Sequence, residues 1–142
     1  MKYRFLEEIA LADTAFEAFG KTEKELFENA ALGVFEVMAD TKKVKGKEKK
    51  KVKIKADTLE KLLHVWLEEI VYIKDVEGMV FNRSECKVTI NDGKFECEGN
   101  LQGQKVLELN ERILKTDVKA ITWHKFKIKK EKGFTATVVL DV

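Results

Sequence analysis

The chain has 142 residues, none of which is proline, and only two are cysteine. Cys86 and Cys97 form no CxxC pair and have no histidine nearby, so the pattern does not favour a zinc site or a disulfide framework. Buried thiols are the simpler interpretation, and a pair facing each other across a hairpin is the alternative. An average composition would supply about seven prolines, and their absence beside abundant lysine and glutamate is typical of a heat-adapted surface.

Long apolar runs are missing as well. No run approaches the roughly 18 residues that a transmembrane helix needs. The acids Glu7 and Glu8 stand where a signal peptide would have its apolar stretch. We therefore expect a cytoplasmic protein that has no contact with a membrane.

Neither sign of charge dominates the composition. Lysine and arginine total 27, aspartate and glutamate total 25, and the net charge is +2. This balance argues against a strongly basic coat for nucleic acid. The hydrophobic share of 44% is close to that of ordinary globular proteins. We expect one folded domain over residues 1–142, long enough to bury a core of its own.

Two segments carry the signature of an amphipathic helix. Thr22 with Glu25, and Asp57 with Glu60, have the spacing of a capping box at a helix start. After each start, apolar residues recur at intervals of three and four, which predicts one buried stripe per helix. These stripes are Leu26, Phe27, Ala30, Ala31, Val34, Phe35 and Met38, and then Leu59, Leu62, Leu63, Trp66, Leu67 and Ile70.

Alternating polar and apolar residues predict strands elsewhere. Asn91-Asp92-Gly93 is typical of a hairpin turn, and residues 101–114 are interpreted as a linking segment with a helical turn near residues 108–111. The fold class predicted is α+β, a two-layer sandwich with both helices on one face of a mainly antiparallel or mixed sheet. Strands are expected over residues 2–5, 14–19, 52–56, 79–81, 86–90, 95–98, 118–124, 126–128 and 134–142.

The most visible charged feature is the lysine-rich stretch from Lys42 to Lys55. Lysines in such a run can hold phosphates, which makes a nucleic-acid-binding module one hypothesis. The simpler interpretation is a solvated loop that runs into an edge strand, where lysines discourage aggregation. No aromatic residue interrupts the lysines, so bases cannot stack there.

The histidines and tryptophans give no catalytic pattern. His64 and His124 have no serine, cysteine or aspartate partner at a suggestive spacing, so core-edge or surface positions are the simpler interpretation. Trp66 and Trp123 are interpreted as core or rim aromatics. A small hydrolase or phosphoryl-transfer enzyme finds no support, because no nucleophile–base pair or phosphate loop is present.

Two acids lie beside apolar segments, Asp13 early in the chain and Asp141 next to its end. A carboxylate at the end of a core strand is costly unless it is solvated or paired. The carboxylate of Val142 would add a third negative charge. Spacing alone leaves both a functional and a purely structural role open for these acids.

At these residues the chain resembles the archease family over nearly its whole length. The matching segments occur in the same order as in the family, and the last of them includes the final two residues of the chain. They are Phe5-Leu6-Glu7, Ala12-Asp13, Gly20-Lys21-Thr22, residues 28–38, the helix with Leu63, Trp66, Leu67 and Glu69, residues 118–124, and Leu140-Asp141-Val142.

The resemblance implies a non-enzymatic accessory protein of the RtcB-type tRNA-splicing RNA ligase. Such proteins promote guanylylation of the ligase's active-site histidine and restore multiple turnover, which implies an indirect contact with tRNA or GTP and leaves direct RNA binding open. It also implies a divalent cation, commonly calcium, held by Asp13, Asp141 and Val142, and a functional lysine at Lys119. Oxygen donors suit calcium, magnesium or manganese, and they would fill only part of a shell of roughly 6–8 oxygens.

One departure from the family pattern stands beside the first acid. Where the family has His-Thr before Ala-Asp, this chain has Ala10-Leu11. The aspartate is kept while its polar neighbours are lost, so any support they give to a metal ligand is missing here.

Overall fold

The computed structural model describes residues 1–6 and 13–142. The Ala10-Leu11 replacement therefore lies outside the described residues. Helix α1 (Glu23–Met38) begins where the Thr22 hydroxyl accepts a hydrogen bond from the Glu25 N–H. This confirms the predicted start, and every residue of the predicted stripe of α1 is buried.

Helix α2 (Leu59–Glu77) begins one residue later than expected. The capping oxygen belongs to Thr58, which accepts a hydrogen bond from the Lys61 N–H. The predicted cap at Asp57 is wrong because the first helical hydrogen bond runs from the Leu62 N–H to the carbonyl of Thr58, whose own backbone is still extended. The helix ends at Gly78, whose φ of 63° is the left-handed conformation that glycine adopts without strain.

Five of the described strands form one antiparallel sheet. The strand order is β1, β2, β8, β6, and β7 also pairs with β8. The predicted strand over residues 118–124 shrinks to two residues, because the chain turns between Trp123 and Phe126. The strands are β1 (Tyr3–Leu6), β2 (Asp13–Gly20), β6 (Ala120–Ile121), β7 (Lys127–Lys130) and β8 (Phe134–Asp141).

A second, three-stranded antiparallel sheet has the order β3, β5, β4. Its strands are β3 (Glu48–Ala56), β4 (Met79–Asn91) and β5 (Lys94–Lys105). All three are longer than predicted. Strand β4 joins two expected strands across a bulge between Phe81 and Arg83, and β5 takes in the start of the expected linking segment. What remains of that segment contains two short 3-10 turns.

The hairpin between β4 and β5 has the predicted turn. Asp92 and Gly93 take φ values of 52° and 75°, as a tight two-residue turn requires. Asn91 and Lys94 close the hairpin as a cross-strand pair.

The two helices and the inner faces of the two sheets share one hydrophobic core. Helix α1 packs on β2 and β4, and α2 packs on β3 and β6. The indole N–H of Trp66 donates to the Phe27 carbonyl at 3.0 Å, which joins the helices. The α+β sandwich is confirmed, with two antiparallel sheets where one was expected. Neither helix in the described part of the chain is long and apolar enough to cross a membrane.

Candidate functional site

The two candidate acids lie side by side. Strands β2 and β8 run antiparallel in a register that places Asp13 directly opposite Asp141. Sequence reasoning proposed both residues, and the sheet brings them together from the two ends of the chain. Val142 follows Asp141 immediately and packs its side chain against the core.

Both carboxylates point away from the helices. Successive side chains in a strand alternate between the two faces of a sheet, and Phe16 and Leu140 belong to the fully buried inner face. Asp13 and Asp141 therefore share the outer face, where both are half-buried.

Backbone hydrogen bonding sets how closely the acids approach. The carbonyl of Asp141 accepts a hydrogen bond from the Lys119 N–H at 2.8 Å, on the side away from β2. Asp13 and Asp141 are therefore a pair that exchanges no backbone hydrogen bond. In such pairs the Cα atoms are about 4.5 Å apart and the side chains are at their closest.

Like charges directly opposite each other destabilise a sheet. Among residues 1–6 and 13–142, neither Asp13 nor Asp141 has a basic side chain within ion-pair distance. Two adjacent carboxylates offer oxygen ligands, which fits a hard cation such as calcium or magnesium. The same described residues contain no group of three or more His, Cys, Asp or Glu side chains that could hold a metal, so most of the shell would come from elsewhere.

Lys119 lies at the edge of the sheet beside this pair. It immediately precedes β6, in which Ala120 pairs with Asp141, and its side chain is exposed. Lys119 also borders a groove of about 400 Å³ between α2 and β6, together with Tyr72 and Asp75. Tyr72 is 60% exposed, and sequence reasoning missed it. The sequence does offer a sign of its exposure, because Tyr72 is a large aromatic residue that lies off the apolar stripe of α2.

A second cluster lies where α2 meets the turn after β6. His64 is buried, and its Nε2–H donates to the Thr122 carbonyl at 3.1 Å. The indole of Trp123 stacks on the imidazole with centroids 3.6 Å apart and planes 1° from parallel, yet Trp123 remains 59% exposed. The predicted surface position is confirmed for His124, whereas His64 is buried more deeply than the core-edge position predicted for it.

The two thiols are buried and free. They lie diagonally across β4 and β5, since Cys86 pairs with Gly99 and Cys97 pairs with Val88. The hydrogen bond that the Cys97 thiol donates to Cys86, followed by burial, raises the pKa of Cys97 far above its ordinary value. The prediction of two buried thiols is confirmed.

The lysine-rich stretch forms part of β3, an edge strand. Lys49, Lys51, Lys53 and Lys55 alternate on its exposed face. The Nζ of Lys53 lies 3.6 Å from Glu96 Oε1 on the neighbouring strand. The interpretation as a solvated edge is confirmed for this strand, although it begins at Glu48.

Known proteins resemble this chain from end to end. A family model described as the Archease protein family matches residues 3–142. A "Protein archease" from Sulfurisphaera tokodaii is 40% identical over 99% of each chain, and one from Archaeoglobus fulgidus is 36% identical over the full length of both. The solution structure of Methanobacterium thermoautotrophicum protein 1598 superposes with a TM-score of 0.81 at 35% identity, covering 99% of this chain and 98% of that one.

Proposed function

The chain belongs to the archease family, and on this premise we propose that it is a non-enzymatic activator of an RtcB-type tRNA-splicing RNA ligase. In this role the protein promotes guanylylation of the ligase's active-site histidine and sustains multiple turnover. It acts in the cytoplasm, and its activating role requires contact with the ligase rather than with GTP.

The observation that carries the proposal is the pairing of Asp13 with Asp141 on the outer face of the sheet, at the end where the Lys119 N–H bonds to the Asp141 carbonyl. Two adjacent carboxylates can engage a charged site on a partner, and Lys119 adds a positive charge at the same end of the sheet, on the side of α2. The adjoining groove adds the exposed ring of Tyr72, and exposed aromatic side chains are enriched at protein interfaces.

We propose further that Asp13, Asp141 and, where the chain ends there, the carboxylate of Val142 hold a divalent cation, calcium in preference to magnesium or manganese. When bound, the cation would supply positive charge that attracts phosphate or carboxylate oxygens. The protein's own ligands fill only part of a calcium shell of roughly 6–8 oxygens. Affinity should therefore be weak for the protein alone and tighter in the complex with the ligase.

The role as an activator rather than an enzyme is supported by the histidines. The Nε2 of His64 is bonded to a carbonyl and its ring lies beneath Trp123, so the ring is not placed to act as a base. Metal-dependent hydrolysis of a phosphoester by the purified protein alone would contradict this part of the proposal.

The test is a ligation assay with the cognate ligase at several turnovers per enzyme. Wild-type protein should stimulate the rate, whereas Asp13→Ala and Asp141→Ala should each reduce stimulation by at least about tenfold, the effect expected when a metal ligand or its close support is removed. The matched control is Glu98→Ala, which removes an exposed acid from the outer face of the other sheet. Variants that stimulate as well as wild type would overturn the proposal.

Calorimetric titration with calcium tests the cation separately. Asp13→Asn keeps the size of the side chain while removing its charge, and it should abolish the binding heat. Residues added after Val142 should weaken binding, while the same residues added before Met1 should not. Equal binding by all these forms would rule out this site.

A further inference from the structure

A second basic segment lies on the open edge of the five-stranded sheet. Its residues run from Lys119 through β6, the turn at 122–126 and β7 to Lys132, and we call it the β6–β7 edge. It contains six lysines and one acid, Glu131. None of the six forms an ion pair within the described ranges 1–6 and 13–142.

The β6–β7 edge also presents an aromatic face. Trp123 is 59% exposed, although an indole is costly to leave in water. One face of the ring is fixed flat against His64, and Phe126 meets its edge with centroids 5.6 Å apart. A side chain held this firmly loses little entropy when a second flat group stacks on it.

The lysines lie within reach of that ring. Lys125 occupies the turn with a φ of 54°, and Phe126 bonds back to the Trp123 carbonyl. Lys127 is four residues from Trp123, so their Cα atoms are at most about 14 Å apart. Lys127 and Lys129 project together on the outer face of β7, opposite threonines of β8. Because Trp123 packs against α2, a strand whose base stacks on it would reach Lys127 and Lys129 by passing over the edge of β7.

Two acids of α2 lie beside the β6–β7 edge. Glu60 accepts a hydrogen bond from the Ile128 N–H at 2.9 Å. Glu68 Oε1 lies 3.0 Å from Nδ1 of His64, the ring on which Trp123 stacks. Together with Glu131, these two acids are outnumbered by the six lysines, so the edge keeps a positive charge.

From these contacts we propose that the β6–β7 edge binds a short stretch of single-stranded nucleic acid. One base stacks on Trp123, and the flanking phosphates contact Lys125, Lys127 and Lys129. The nucleic acid must be single-stranded, because the bases of a duplex stack on one another and their faces are covered. An unpaired base can stack its face on an aromatic ring. An acidic protein would use the lysines but has no need of the flat indole.

This inference goes beyond activation of the ligase and does not depend on it. The assay contains only the full chain and a labelled RNA of about eight nucleotides, a length within the site sizes usual for such surfaces. Binding is measured by fluorescence anisotropy at about 50 and 200 mM salt. A DNA of the same sequence shows whether ribose hydroxyls contribute to the base and phosphate contacts.

Trp123→Ala should weaken RNA binding by about tenfold, the usual loss for one stacked base. Because Trp123 also packs on His64, Trp123→Phe serves as the second variant and should recover most of the affinity. RNA should quench the tryptophan fluorescence of the wild type and not that of Trp123→Phe, since the remaining Trp66 is buried.

Lys127→Gln with Lys129→Gln should reduce the slope of log affinity against log salt by about 1.4, or about 0.7 for each phosphate contact with a single strand. The matched control, Lys51→Gln with Lys53→Gln, removes the same charge from β3 and should leave binding unchanged. Equal losses in both double variants would overturn the proposal. So would displacement of the RNA by polyglutamate at equal charge concentration, which would assign the edge to an acidic protein.

Discussion

The molecule carries two lysine-rich edges, and they differ in what surrounds the lysines. On β3, two of the five lysines have an acid partner among the residues described: Lys50 lies 2.5 Å from Glu77 and Lys53 lies 3.6 Å from Glu96. On the β6–β7 edge, no lysine has an acid partner among the residues described, and an exposed Trp123 is fixed in the middle. The density of lysines in a sequence is therefore a poor guide to a binding surface, whereas their pairing and their aromatic neighbours are better ones.

The two edges also differ in how helix α2 packs beneath them. Helix α2 sends Trp66 toward the three-stranded sheet, where it packs against Gly99, and sends His64 toward the five-stranded sheet, where it supports Trp123. The first contact is wholly buried, while the second ends in a side chain open to solvent. We interpret β3 as a structural edge and the β6–β7 edge as a recognition edge.

The largest effect on stability is expected beneath β3. A Cβ at Gly99 would lie 2.5 Å from the Glu85 carbonyl oxygen and 2.9 Å from the Trp66 ring. Gly99→Ala should therefore lower the free energy of unfolding by about 3 kcal/mol, as overpacking does in a well-filled core. Gly46→Ala is the control, since its nearest neighbour is the end of the Gln102 side chain at 3.2 Å. Chemical denaturation measures both, and equal stability would refute the close packing.

The next effect concerns the support of the recognition edge. His64→Ala removes the hydrogen bond to the Thr122 carbonyl and leaves a cavity under Trp123, so it should cost about 2 kcal/mol. The emission of Trp123 should also change as its stacking partner is lost. His124→Ala removes an exposed ring and should change neither property. An unaltered emission spectrum in His64→Ala would count against the stack.

A smaller, pH-dependent effect is expected where the chain approaches β6. Burial lowers the pKa of Lys74, but its bonds to Asp117 and Asp75 outweigh burial and raise it above the ordinary value. The protonated form therefore stabilises the fold fully at any pH below the unfolded value of about 10.4, and this contribution disappears as pH rises through the higher folded value. Lys74→Met should cost about 1–2 kcal/mol at neutral pH.

The measurement is denaturant unfolding of wild type and Lys74→Met from neutral to strongly alkaline pH. Their difference should shrink only above the ordinary pKa of lysine. A difference that stays constant across that range would show that the charge of Lys74 contributes nothing.

The smallest effect is expected for the ion pairs of β3. A double-mutant cycle on Lys53→Met and Glu96→Gln should give a coupling energy below about 1 kcal/mol, because exposed pairs gain little in water. Salt should reduce it further. A coupling several times larger would mean that ion pairs contribute substantially to the stability of β3, which would contradict the difference drawn between β3 and the β6–β7 edge.

Much of the fold could be predicted from local chemistry. The cap at Thr22, the turn at Asp92-Gly93 and the stripes of both helices each depend on residues that are close in the sequence, and each is confirmed. The continuity of β4 could not be predicted. Polar residues between Phe81 and Cys86 break the alternation, and the register shift that accommodates them is visible only with β5 in place.

The functional residues also include some that the sequence predicts and one whose role it does not. Asp13 and Asp141 stand out in the sequence as acids beside apolar segments, and the resemblance adds their ligand role and Lys119. The register of β2 with β8 explains why the two acids, so distant in sequence, meet. The role of Trp123 could not be read from its neighbours along the chain. Its exposure depends on a turn that ends β6 early, and its support comes from His64 on a separate helix.

The central claim is that the paired carboxylates of the five-stranded sheet, rather than charge in general, activate the ligase. The most direct measurement is the rate at which the cognate ligase is guanylylated in the presence of two double variants. Asp13→Asn with Asp141→Asn should leave the rate at its value without this protein, while Lys51→Gln with Lys53→Gln should match wild type. Full activation by the aspartate double variant would contradict the account.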